Sequence, residues 1–329
     1  MRVKMHGAVQ KVYGLGFVLH FCAGVKYMYT TEHNNGVLPH FTRTRIAPTP
    51  SGYLHMGNVL SFAVTATLAK QTGAVILLRV DDMDRERVQP AYVQDIFDTL
   101  RFMDIPWQEG PENAAAFEAT WSQQYRMALY NQALEQLRQM NAVYACGCSR
   151  AQLLAVNGIG CAGNCRQQQL PLDAAQVNWR LKTDNIREVT LRTLTGTHTE
   201  AFPAEMKDFV VRKKDGYPAY QLSSVIDDVH FGVDLIVRGK DLWQSTLAQL
   251  GLAAQLNAKD FTATCFVHHD LIKDASGEKL SKSAGATSIQ YLRKQGATAE
   301  ALYNSIGKLL QAEAEIHNRE GLGNAVLYG

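Results

Sequence analysis

The chain has 329 residues, which at about 150 residues per domain suggests two domains. A hydrophobic content of 46% allows a sizeable core, while 33 Lys and Arg against 31 Asp and Glu leave a net charge of only +2. Overall charge therefore does not indicate a nucleic-acid partner, so RNA contacts would have to come from local patches such as Arg212-Lys213-Lys214. No apolar run approaches the roughly 20 residues needed to span a bilayer.

Taken in chain order, residues 1–42 stand apart. Lys4, Lys11 and the apolar stretch 13–25 loosely resemble a signal peptide. An extension outside the fold, disordered or created by a mis-assigned start, is the preferred reading. The fold is expected to begin near Thr42. Residues 44–47 read as a buried strand, followed by a helix that ends near Gly73 and carries Val59, Leu60, Phe62, Ala63, Ala66, Leu68 and Ala69 at helical spacing. The continuous apolar run 74–80 suits a parallel strand buried on both faces. Val93, Ile96, Phe97, Leu100 and Met103 predict a helix, as do Tyr125, Leu129, Ala133, Leu134 and Leu137. Strand, helix, strand, helix implies a doubly wound α/β sheet with ligands at the carboxyl ends of its strands. Further strands are expected at 209–212, 233–237 and 263–267.

The stretch 142–205 is rich in Cys, Gly, Gln and Thr and reads as an inserted region. It opens with Cys146-Gly-Cys148. Cys161 follows after twelve residues and Cys165 after three more. Four soft ligands in two close pairs suit one tetrahedral, structural zinc. Six cysteines of which four have metal-like spacing fit a reducing, cytoplasmic compartment better than a disulfide framework. The domain reading is thus 1–42 extension, 43–141 first half of the catalytic domain, 142–205 zinc-binding insertion, and 206–329 second half.

Two motifs more than 200 residues apart carry the chemistry. The first is Pro48-Thr-Pro-Ser-Gly-Tyr-Leu-His55-Met-Gly57-Asn58, at a strand-to-helix turn. Free N–H groups and a partial positive charge are expected there, with Gly57 letting a nucleotide approach. The second is Lys279-Leu280-Ser281-Lys282-Ser283, in a polar loop that can close over a triphosphate. They resemble the two ATP-binding signatures of class I aminoacyl-tRNA synthetases. Thr44-Arg-Ile-Ala-Pro-Thr-Pro-Ser-Gly, Leu78-Arg-Val-Asp-Asp-Met-Asp, Asp215-Gly-Tyr-Pro-Ala-Tyr220 and Ile236-Val-Arg238-Gly-Lys-Asp are similar to the text of the glutamyl-tRNA synthetase family. Only 46 residues follow Ser283, and the cysteine spacing also resembles the family's shortened branch, the glutamyl-queuosine tRNA(Asp) synthetases.

The resemblance implies a Rossmann-type catalytic domain without an anticodon-binding domain. It implies activation of L-glutamate by Mg2+-ATP and transfer to queuosine in the anticodon arm of tRNA(Asp), with no membrane and no obligatory protein partner. His55 and Lys282 would be catalytic, and His55, Gly57, Asn58, Lys279, Ser281 and Lys282 would bind ATP. Arg45, assisted by Arg238, would hold the glutamate carboxylate. Ile46, Ala47, Pro48 and Thr49 would line the pocket, Tyr220 would donate its hydroxyl, and Asp81 would accept the α-ammonium. Asp81 stands where the family usually has Glu, and Asn58 where the signature has its second His. A truncated glutamyl-tRNA synthetase charging tRNA(Glu), an inactive RNA-binding paralogue and another adenylate-forming nucleotidyltransferase are the alternative readings.

Overall fold

The computed structural model describes residues 38–154, 160–161, 165–272 and 288–329. Residues 1–37 and the second motif, with Lys279, Ser281 and Lys282, lie outside the described residues.

The main sheet has six strands in the order β2-β1-β8-β9-β5-β6. These are β1 Arg43–Ile46, β2 Val75–Leu78, β5 Glu188–Thr193, β6 Gly196–Ala201, β8 Leu235–Gly239 and β9 Cys265–His269. All pairings are parallel except β5 with β6. The smaller sheet is antiparallel, β3 Val143–Cys146, β4 Asn178–Leu181 and β7 Val210–Arg212.

Strands β1, β2, β8 and β9 are covered on both faces, whereas β5 alternates between buried and exposed residues and β6 is largely exposed. Leu235, Val237, Cys265 and Val267 pack with helix α1 (Met56–Thr72), with Leu302 and Ile306 of the helix Ala299–Leu309, and with Leu322 of the helix Arg319–Leu327. Ile236 and Phe266, pointing the other way, pack with Tyr130, Leu134, Leu222 and Leu247 from the helices Met127–Gln139, Tyr220–His230 and Trp243–Gln255. Helix α1 ends where expected. Gly73 caps it in the left-handed region at φ 78°, a conformation that costs glycine little.

Three strands depart from the sequence reading. The strand expected at 209–212 is β7, and it completes the smaller sheet rather than the main one. Conversely β5 and β6, within the stretch read as an insertion, extend the main sheet through the β5–β9 pairing. Strand propensity shows that a segment is extended, but its partner is set by long-range register. Among the described residues, no helix is long and apolar enough to cross a membrane.

Candidate active site

A cavity of about 340 Å3 opens at the carboxyl ends of β1, β2, β8 and β9. Arg45, Ile46, Ala47, Pro48, Thr49, His55, Gly57, Asn58, Asp81, Tyr220 and Arg238 all line it. The structure thus gathers around one cavity every proposed ATP and glutamate residue among those it describes. Sequence reasoning missed Arg79, Ser61, Asp241, His269, Leu271 and Ile272, which line it too.

At one end the cavity meets the start of α1. His55 is the helix N-cap. Its Nδ1 accepts from Gly57 N–H at 3.1 Å, and Asn58 Oδ1 accepts from His55 N–H at 3.0 Å. The Asn58 and Val59 N–H groups donate to the His55 carbonyl. The expectation of free N–H groups at this turn is therefore corrected for Gly57, Asn58 and Val59, because the ring nitrogen and carbonyl oxygen of His55 already accept from them. Gly57 also serves differently from expectation. A Cβ there would lie 3.0 Å from the His55 ring, so its bareness makes room for the imidazole. With Nδ1 accepting, the neutral ring carries its proton on Nε2.

The other end holds a buried charge network. Arg79, just past β2, donates from Nε and Nη2 to Asp81 at 2.6 and 3.1 Å and from Nη1 to Asp228 at 2.7 Å. Arg45 Nε donates to the same Asp228 oxygen at 3.2 Å. Asp227 takes a bidentate pair of bonds from Arg126 at 2.7 and 3.1 Å, with further donors from Gln123 and Tyr130. Burial pushes the Asp81 carboxyl up despite Arg79. Burial also acts on Asp227, but Arg79 and Arg126 outweigh it and hold that carboxyl below its usual range.

Arg238 is different. Its Nη1 donates to Gln249 at 2.8 Å and Thr246 at 3.3 Å, and its guanidinium lies over the Phe266 ring. Its Nε and Nη2 are buried without a hydrogen-bond partner, and it has no ion pair among the described residues. Burial, reinforced by the nearby charge of Arg45, pushes it down to about 10. Four buried guanidiniums (Arg45, Arg79, Arg126 and Arg238) thus face three carboxylates (Asp81, Asp227 and Asp228). The excess positive charge resides at Arg238, in the cavity wall. Such a site favours an anionic ligand, because an unpaired buried charge and unmet donors are both unfavourable. Arg45 is engaged by Asp228, whereas Arg238 keeps two uncommitted donors.

A family model described as "tRNA synthetases class I (E and Q), catalytic domain" matches residues 42–327. The chain belongs to this family. It is an aminoacyl-tRNA synthetase-like ligase. A glutamyl-Q tRNA(Asp) synthetase of Nitratidesulfovibrio vulgaris is 32% identical over 275 residues, which are 78% of this chain and 82% of that one. A glutamate–tRNA ligase 2 of Acidithiobacillus ferrooxidans is 31% identical over 81% of this chain but only 58% of its own length. Among solved structures, a glutamate–tRNA synthetase from Elizabethkingia anophelis superposes with a TM-score of 0.68 at 22% identity, over 86% of this chain and 65% of that one. That likeness shows the fold.

Away from the cavity, the synthetase carries the four cysteines as one cluster. The Sγ atoms of Cys146, Cys148, Cys161 and Cys165 all lie within 4.8 Å of one another. Three of the separations are 3.6 Å, too long for a disulfide. Tetrahedral thiolate ligation at about 2.3 Å places sulfurs about 3.8 Å apart, so the cluster can hold a metal ion. Lys214 donates to the Gly147 carbonyl at 3.1 Å. Lys213 pairs with Asp215, and Arg212 lies over Trp179. The basic patch proposed for RNA is thus engaged within the chain.

Proposed function

We propose that the chain activates L-glutamate with Mg2+-ATP and transfers it to queuosine in the anticodon arm of tRNA(Asp). The observation that carries glutamate is Arg238, a buried guanidinium with spare donors on a cavity that also holds Arg45, Tyr220 and Asp81. A side-chain carboxylate entering there meets the excess positive charge. Asp81, beside it, accepts the α-ammonium, and Tyr220 adds its hydroxyl at the rim, where its side chain is 41% exposed. With the side-chain carboxylate and the α-ammonium so held, the α-carboxylate is the group left to face His55, Gly57 and Asn58, where ATP would bind. Lys279, Ser281 and Lys282, proposed from sequence, would neutralise the phosphates. Mg2+ enters with the nucleotide, and one structural zinc sits in the four-cysteine cluster. The cytoplasm is the compartment that supplies tRNA and keeps those thiols reduced.

The tRNA assignment is supported by the evenness of the match to the glutamyl-Q relative, 78% of one chain against 82% of the other. The near-equal identity to a glutamate–tRNA ligase favours charging of tRNA(Glu) as the second reading. Labelled glutamate offered with queuosine-containing tRNA(Asp), queuosine-free tRNA(Asp) and tRNA(Glu) separates them. Label is expected only on the first. Label on tRNA(Glu) alone would establish the second reading.

The zinc proposal has its own test. Purified protein is expected to contain one zinc per chain by elemental analysis. Cys161→Ala is expected to lose most of it and to open the inserted region to proteolysis, since metal-binding energy is also folding energy here. Full zinc retention in that variant would refute the four-sulfur site.

A further inference from the structure

One polar pair in the cavity wall has no part in the charge network. Ser61 lies in the second turn of α1, and His269 ends β9. Both line the cavity on the side of Gly57 and Asn58. His269 is 2% exposed. Its Nδ1 lies 2.8 Å from the Asp270 carbonyl oxygen, and its Nε2 lies 2.6 Å from Ser61 Oγ.

The protons follow from what each atom can do. A carbonyl only accepts, so Nδ1 bears a hydrogen. Burial lowers the His269 pKa and keeps the ring neutral. Nε2 is then an acceptor, and its partner must be the Ser61 hydroxyl hydrogen. That hydroxyl has one hydrogen. The alternative acceptor, the Gly57 carbonyl at 3.3 Å, is the weaker partner. Ser61 Oγ therefore lies in the cavity wall with only lone pairs left to offer.

We propose that Ser61, locked by His269 as an acceptor-only oxygen, recognises a hydrogen-bond donor on the ATP bound at this end of the cavity, either the base amino group or a ribose hydroxyl. This rests on the assignment of ATP to this end. Ser61 is then a specificity residue, and His269 is the positioning residue that sets its polarity. A nucleotide that presents a keto oxygen or a missing hydroxyl at this point leaves the serine unmatched, and a keto oxygen also repels its lone pairs.

Glutamate-dependent ATP–pyrophosphate exchange tests this, with ATP, ITP, 2′-dATP and 3′-dATP as nucleotides. The wild type is expected to prefer ATP by about 10- to 100-fold in kcat/KM over the analogue lacking the recognised donor. ITP identifies the amino group, and the deoxy nucleotides identify the hydroxyl. Ser61→Ala is expected to collapse that ratio by about tenfold and to leave the other two unchanged. His269→Leu is expected to do the same, because the freed hydroxyl can rotate and donate. His269→Gln, whose amide oxygen can accept from Ser61, is expected to preserve the preference. Thermal melts of the variants check that each is folded. Unchanged ratios for all three analogues in folded Ser61→Ala, with exchange intact in the wild type, would overturn the inference alone. Absence of glutamate-dependent exchange in the wild type would overturn the functional reading and this inference with it.

Discussion

Replacing Arg238 with alanine is expected to lower glutamate-dependent ATP–pyrophosphate exchange by about 10²- to 10³-fold, the usual consequence of truncating one member of a buried charge pair. Arg238 supplies two buried guanidinium donors that no group among the described residues satisfies. Lysine at 238 is not expected to restore exchange, because one ammonium cannot make two parallel bonds and its donor lies elsewhere. The same residue makes an opposite prediction for stability. Its guanidinium is pushed down to about 10 by burial. A base with a lowered folded-state pKa is held charged at neutral pH at the expense of the folded state. Arg238→Met removes that charge, keeps the volume and leaves the Phe266 contact. It is therefore expected to raise the apo protein's melting temperature while abolishing exchange. Glutamine, isosteric but uncharged, is expected to be used at least about 10²-fold less well than glutamate by the wild type. Equal use of glutamine, or full activity in Arg238→Met, would refute the anchor.

Asp227→Ala is expected to destabilise the fold by about 3–5 kcal/mol, measured by urea unfolding at neutral pH. Asp227 is fully buried and receives donors from Arg126, Gln123 and Tyr130. Removing it strands the Arg126 guanidinium, which keeps one bond to the Trp121 carbonyl and its contact with the Phe231 ring. The pH dependence has a definite sign. The folded-state pKa of Asp227 is lowered, since Arg79 and Arg126 overcome the opposing effect of burial. Its contribution is therefore present above the unfolded-state value of about 3.9 and is lost as pH falls through the lower folded value. Wild type and variant should differ fully at pH 6–8 and converge only in strong acid. A variant within about 1 kcal/mol of wild type at pH 7 would show that the network relaxes around the loss.

Much of this was legible in the sequence because it is local. A strand, a turn with His55 and Gly57 and an apolar-periodic helix are neighbours in the chain, so their order predicts α1 and roughly where it starts. The spacing of Cys146, Cys148, Cys161 and Cys165 predicted a cluster because a short loop limits where four thiols can go. The continuous apolar run 74–80 predicted a strand covered on both faces, since burial on both sides removes the alternation that one-sided strands show.

What the tertiary structure decided is the pairing of distant groups. Arg79 and Asp228 are 149 residues apart and 2.7 Å from each other. Nothing in their local sequence says that Asp228 engages Arg45, or that Arg238 keeps spare donors. Which guanidinium is paired depends on which carboxylates reach it, and only packing sets that. The same reason placed β7 in the small sheet and β5 in the large one, because a strand's sequence specifies extension and burial but not its neighbour. Ser61 and His269, 208 residues apart, read as a helix serine and a strand histidine until the sheet order brings β9 beside α1. Sequence determined the elements and the residue types the chemistry needs. Three-dimensional register determined which of those charges are already matched by one another among the described residues and which are not.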